Sequence, residues 1–294
     1  MASKSFYNKV VPLNRDRHRK LRLRMDGGVS FVADRHYVPL TAVEFYEAAR
    51  DYPVVFAGGD DPSPLAMLGL RTGENLFVGA DGRWADGMYI PAFVRRYPFI
   101  LARAGETSDF TVCLDESYEG LSESEGTPLF DEQGKESEQV SRIMKFLNDF
   151  LIETERTRRF VERLNELGLL TVQSMQVQDR SGKTYALRDF RMVDEKKLKE
   201  LDNEVLGELH RAGYLGCIYA HLVSLGNVIR LASRMPVEGA AGTADSGAAG
   251  SGTAEGGTAG SGTAEGGTAD SGAAGSGTAD GGTADSGTSA AGPA

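Results

Sequence analysis

The sequence predicts an α+β fold. It has mixed strands in the N-terminal half, long amphipathic helices and a β-hairpin in the C-terminal half, and a disordered repeat tail. Three observations predict it. Short apolar or alternating runs bounded by turn residues recur as far as Asp115. From about Ser137, apolar residues fall at three- and four-residue steps. After Val237 there is no Val, Leu, Ile, Met or aromatic residue, so no burial can offset the entropy of ordering the chain.

Taken in order, KLRLRM (20–25) alternates basic and apolar side chains, as a half-buried strand does, with Leu21, Leu23 and Met25 facing inward. Thr41 and Glu44 have capping-box spacing and start a helix that Pro53 stops. VVFA (54–57) is a buried strand, and GGDDPSP (58–64) is a turn-forming loop. NLFVGA (75–80) is strand-like and runs into the hairpin pair Asp81-Gly82. Pro91 suits a first helical turn and Pro98 ends it. FILAR and DFTVCLD are two further strands, and 116–139 is a polar, acidic surface loop.

Val140, Ile143, Met144, Leu147 and Leu151 share a helical face, and the pattern resumes through Phe160, Val161, Leu164 and Leu167 to a stop at Gly168. The reading allows one long helix or two with a break near Thr154. TVQSMQVQ and KTYALRDFRMV alternate around Asp179-Arg-Ser-Gly182 as an exposed β-hairpin. Asp194 caps a helix containing LKEL. Residues 202–235 are helical with breaks near Gly213 and Gly226, and apolar enough to be innermost.

The expected domains are 1–236, with a possible sub-boundary near 116–136, and the tail 237–294. The tail repeats G-[TA]-A-[DEG]-[GS] every five residues. Collagen needs glycine every third residue, and solenoids or calcium β-rolls need an inward apolar residue in each unit. What remains is a solvated acidic spacer. It carries seven carboxylates, and without it the formal charge moves from −10 to −3, which argues against an overall polyanion binder. Cys113 and Cys217 form no disulfide framework. No apolar run is read as approaching a transmembrane span, and no secretory signal is read at the N-terminus. Cytoplasmic residence is the default, with export lacking an N-terminal signal left open.

The sequence holds no zinc-binding histidine pair, phosphate loop, dinucleotide fingerprint or nucleophile elbow, so no catalytic, cofactor or metal residue is assigned. Binding candidates are Trp84, Tyr89, Arg95, Arg96, Tyr97 and His221. The aromatic residues either line a ligand pocket or pack the core, and packing is favoured. Arg95 and Arg96 face solvent or clamp an anion. His221, in IYAHLVSLGN, is favoured as a core histidine bonded to backbone. Arg15 to Arg24 could track phosphates, but no aromatic residues interleave them for base stacking.

Six strings, in order, carry a resemblance: YVPLTAVEF, YPVVFAG, LGLRTGENLFVGADGRW, YIPAFVRRYPFIL, LFDEQGKESEQVSRIMKFLNDF and LHRAGYLGCIYAHLVSLGN. Together they resemble the bacterial SapC-like family over roughly residues 5–233; the repeat tail falls outside. The family takes its name from a link to a bacterial surface layer and is distinct from the peptide-transport permease that shares the name. Its members often stand beside outer-membrane receptor and halogenase-like genes. The resemblance implies an accessory or binding role tied to the envelope, a surface layer or nutrient uptake, with a protein or envelope component as partner. It carries no catalytic residues over. An enzyme with a dispersed site is the second expectation, and nucleic-acid binding through the basic segment is the third.

Overall fold

The computed structural model describes residues 6–24, 28–103 and 110–236. The expected tail and Met25 lie outside them. The described residues belong to one compact unit, Met1–Thr243. The fold is mixed, as expected, with three antiparallel sheets and eight α-helices among the described residues.

The largest sheet runs in the order β10-β11-β4-β5-β3. Its strands are β3 (Tyr37–Pro39), β4 (Val54–Ala57), β5 (Pro64–Met67), β10 (Leu170–Gln178) and β11 (Thr184–Val193). Phe190 and Arg191 of the hairpin pair with Ala57 and Phe56, so the C-terminal hairpin completes a sheet begun far upstream. The hairpin is therefore less exposed than expected, with Val177, Leu187, Phe190 and Val193 buried. α2 (Phe45–Asp51) starts from the Thr41/Glu44 capping box through a short 3-10 turn. α7 (Tyr214–Ser224) lies against α2, β4 and β11, and α8 (Asn227–Ser233) lies against β10. α5 (Glu195–Lys199) and α6 (Asn203–Arg211) precede them, with Asp194 capping α5 as expected.

A second group of strands is built on β6 (Phe99–Arg103) and β7 (Phe110–Asp115), with β1 (Val10–Pro12) on the far edge of β7. β2 (Arg22–Leu23) sits between β8 (Leu121–Ser122) and β9 (Thr127–Pro128). The expected strand over 20–25 shrinks to these two residues, and α1 (Arg15–His18) precedes it. Leu23 is buried as expected and Leu21 packs beside it. The stretch 116–139 is not wholly a surface loop: it supplies β8, β9 and the buried Leu129 and Phe130.

NLFVGA forms no regular strand, only the bridge Val78–Trp84. The Asn75 amide replaces the ladder, donating to Val32 O at 3.0 Å and accepting from Phe77 N at 2.9 Å. α3 (Ala92–Arg95) is a single turn after Pro91. α4 (Glu138–Glu166) is one unbroken helix of 29 residues, capped by the Ser137 hydroxyl and stopped by Gly168 at φ 63°.

Two hydrophobic cores result. The main core gathers Phe45, Tyr52, Phe56, Phe77, Trp84 and Phe160 with the C-terminal helices. The second gathers Leu23, Phe99, Leu114, Leu129, Val140 and Leu147. The C-terminal helices are not innermost. They form an outer layer that leaves Tyr219, Val223 and Ile229 exposed. By length and composition Tyr214–Ser233 could also cross a membrane, which the sequence reading did not allow for. Its polar side chains are spent on the core: Ser224 accepts from Val54 N at 2.9 Å, and Asn227 donates to Ala49 O at 2.7 Å.

Candidate functional site

Glu44 organises the site. It is buried, and its carboxylate accepts hydrogen bonds from Thr41 N at 2.8 Å, Tyr89 OH at 2.9 Å and Ala92 N at 2.6 Å. One side chain thus ties the start of α2 to the start of α3. Burial, and then the neighbouring Glu44 charge, push the Tyr89 phenol up to about 12, so Tyr89 stays a donor.

The two arginines that end α3 diverge. Arg95 folds back, donating to Ile90 O at 2.9 Å and to Tyr89 OH at 3.2 Å, with its guanidinium 5.3 Å from the Phe146 ring centre. Arg96 turns the other way. Its guanidinium lies 4.2 Å from the centre of Phe93, 5.0 Å from Phe150 and 5.9 Å from Tyr7. Its Nε is buried with no hydrogen-bond acceptor. Among the described residues no carboxylate forms an ion pair with it. Burial pulls its pKa down, and the Tyr7 hydroxyl only partly counters this.

Arg96 lines a cleft of about 520 Å³. One wall is the 60–64 loop with Pro39 and Leu40; the opposite wall is the middle of α4. Phe150, Thr154, Thr157 and Val161 recur there at four- and three-residue steps, which places them on one helix face. Thr157 also accepts from Ala42 N at 2.7 Å and so pins α4 to the capping box. Arg158 at the rim is engaged by Glu155 and Glu162. Asp60 and Asp61 stand exposed on the loop. The lining holds no histidine, cysteine or lysine.

The structure brings Tyr89, Arg95 and Arg96 together around α3. Tyr97 is buried away from the cleft: its ring stacks on Phe31 at 4.0 Å, and its hydroxyl meets Asp115 at 3.4 Å. Trp84 is core, its indole N–H donating to Tyr52 OH at 3.0 Å. His221 is fully buried, donating from Nδ1 to Val54 O at 2.7 Å and accepting at Nε2 from Val193 N at 3.1 Å. Both ring nitrogens are used, so His221 has none left for a ligand. Among the described residues no group of three or more His, Cys, Asp and Glu side chains could hold a metal ion.

The α4 wall and the capping-box residues were not among the candidates. One signal did mark the wall: the polar interruption at Thr154 in the apolar stripe. It is the open side of an intact helix where the cleft lies.

The fold and cleft define an α+β protein with a partly apolar cavity whose lining includes an arginine without a carboxylate partner among the described residues. Residues 13–231 match the model of the SapC family, and the chain belongs to that family. Comparison with curated proteins and with solved structures gave no match.

Proposed function

We propose that this SapC-family chain is a non-catalytic accessory or binding protein linked to the cell envelope, a surface layer or nutrient uptake. The observation that carries the binding role is Arg96. It is a permanently charged group held among aromatic rings at the wall of a ready-made cleft, with no carboxylate partner among the described residues. A guanidinium cannot shed its proton to escape burial, so a site that keeps one unpaired is suited to receive an anion. The lining has no nucleophile–base pair of the histidine- or cysteine-dependent kinds, which favours binding over turnover. Family membership supports the envelope link.

Against a nucleic-acid role, the basic segment is largely engaged within the protein. Arg17 and Lys9 meet Glu116, and Arg24 meets Glu125. Such cations are poorly placed to release counterions from a phosphate backbone.

The test is location joined to turnover. Intact native cells are treated with protease, and the tail and folded part are followed with separate antibodies. Cleavage on intact cells is expected. Full protection with the chain in the soluble cytoplasmic fraction would sink the surface reading, and turnover of an envelope-derived substrate by purified protein would sink the non-catalytic one.

A further inference from the structure

The chemistry of the cleft narrows what it can hold. At its wall Arg96 offers a planar guanidinium; its Nε is sealed inside the protein, which leaves the two terminal NH2 groups as the fork a ligand can meet. Such a fork is matched by two oxygens of one anionic group. The lining also selects against high charge. Arg158 is neutralised by Glu155 and Glu162, while Asp60 and Asp61 have no ion-pair partner among the described residues. A dianionic phosphate on Arg96 would share the cleft with these carboxylates, whereas a single negative charge is repelled far less. The remaining walls are apolar, with Leu40, Pro62, Phe93, Phe150 and Val161, and about 520 Å³ is within the range of small-molecule sites.

We infer that the cleft binds a small monocarboxylate with an apolar body, its carboxylate forked on Arg96 and its body laid against Phe150 and Val161. This rests on the binding-protein reading above. In the empty protein the Arg96 cation then has only aromatic faces and the Tyr7 hydroxyl around it, and the ligand supplies its counter-charge. That separates it from a structural arginine, which would already have a carboxylate partner.

The test uses the full chain with octanoate and 3-phenylpropionate as probes, and with 3-phenylpropanol and inorganic phosphate as controls, read by calorimetry and thermal shift. Saturable binding of at least one carboxylate is expected, roughly tenfold or more tighter than either control. Arg96→Met should abolish it and raise the melting temperature of the unliganded protein, because it keeps the packed stem and removes a partly buried charge that has no counter-charge. If Arg96→Met does not fold, Arg96→Lys carries the test. It retains charge without the fork and should bind roughly tenfold more weakly.

No saturable binding of either carboxylate at millimolar concentration overturns the inference. So does undiminished binding by the folded Arg96 variant, tighter binding of phosphate, or a lower melting temperature in a folded Arg96→Met. The failures are separable. A cytoplasmic or substrate-turning chain that still binds carboxylate sinks the functional proposal alone, and a surface chain that binds none sinks this inference alone.

Discussion

His221 is fully buried and Arg96 partly so, and the two ionisable side chains resolve the cost of burial in opposite ways. His221 gives up its charge: burial lowers its pKa to about 4, although the bond to Val54 O works the other way. The unfolded chain, with the ordinary histidine value of 6.5, binds the proton first as pH falls. The stability is therefore whole above pH 6.5 and is lost progressively towards pH 4, by about 3 kcal/mol at its fullest. In melting curves taken from pH 7 to 4, His221→Gln should flatten this part of the pH dependence. An unchanged slope would show that His221 does not titrate on unfolding. Arg96 has no such escape, because a guanidinium stays charged, and this is why the cleft rather than His221 is where a ligand would gain binding energy.

The decisive element is α4. At 29 residues it is about 44 Å long, enough to run from one core to the other. Val140 and Leu147 enter the second core, and Phe160 and Leu164 enter the main one. The cleft opens between them, where the helix passes from one to the other. Its start depends on Ser137, whose hydroxyl accepts from Val140 N at 3.3 Å. Ser137→Ala should cost about 1 kcal/mol in urea unfolding, and Ser137→Asp should not. A second sensitive junction lies in the large sheet, where Gly58 N donates to Asp189 O at 3.0 Å. A Cβ on Gly58 would stand 2.5 Å from that same oxygen, and the neighbour is backbone that cannot swing away. Gly58→Ala should destabilise by about 2 kcal/mol, so an unchanged denaturation midpoint would contradict this close approach.

For the whole molecule, the shared helix couples the two cores. Trp84, the sole tryptophan, reports on the main core only. Leu147→Ala removes packing from the second core and should cost about 2–5 kcal/mol. If the cores unfold as one, the midpoint seen by Trp84 fluorescence should fall as far as that seen by far-ultraviolet circular dichroism. A fluorescence midpoint that stays put while the circular dichroism shifts would mean that the second core melts alone. Cooperative unfolding would also keep the cleft preformed, since its two walls belong to different parts of the chain.

Local chemistry was sufficient for much of this. The capping box at Thr41, the buried strand at Val54, the helix from Ser137, the hairpin around Gly182 and the burial of His221 each follow from neighbours a few residues apart, although the backbone partners of His221 are distant. The aromatic–arginine stretch was also legible as a candidate. The order of the strings that mark the SapC family was in the sequence as well. Tertiary structure decided what depends on distant partners: that the hairpin joins β4, that Asn75 replaces a strand, that β2 finds β8 and β9, and that α4 continues through Thr154. It also decided which candidates share a site. Arg95 and Arg96 are adjacent in sequence yet point to opposite sides. Only the positions of Phe93, Phe150 and Tyr7, drawn from three separate segments, left one of them partly buried, aromatic-caged and without a carboxylate partner among the described residues.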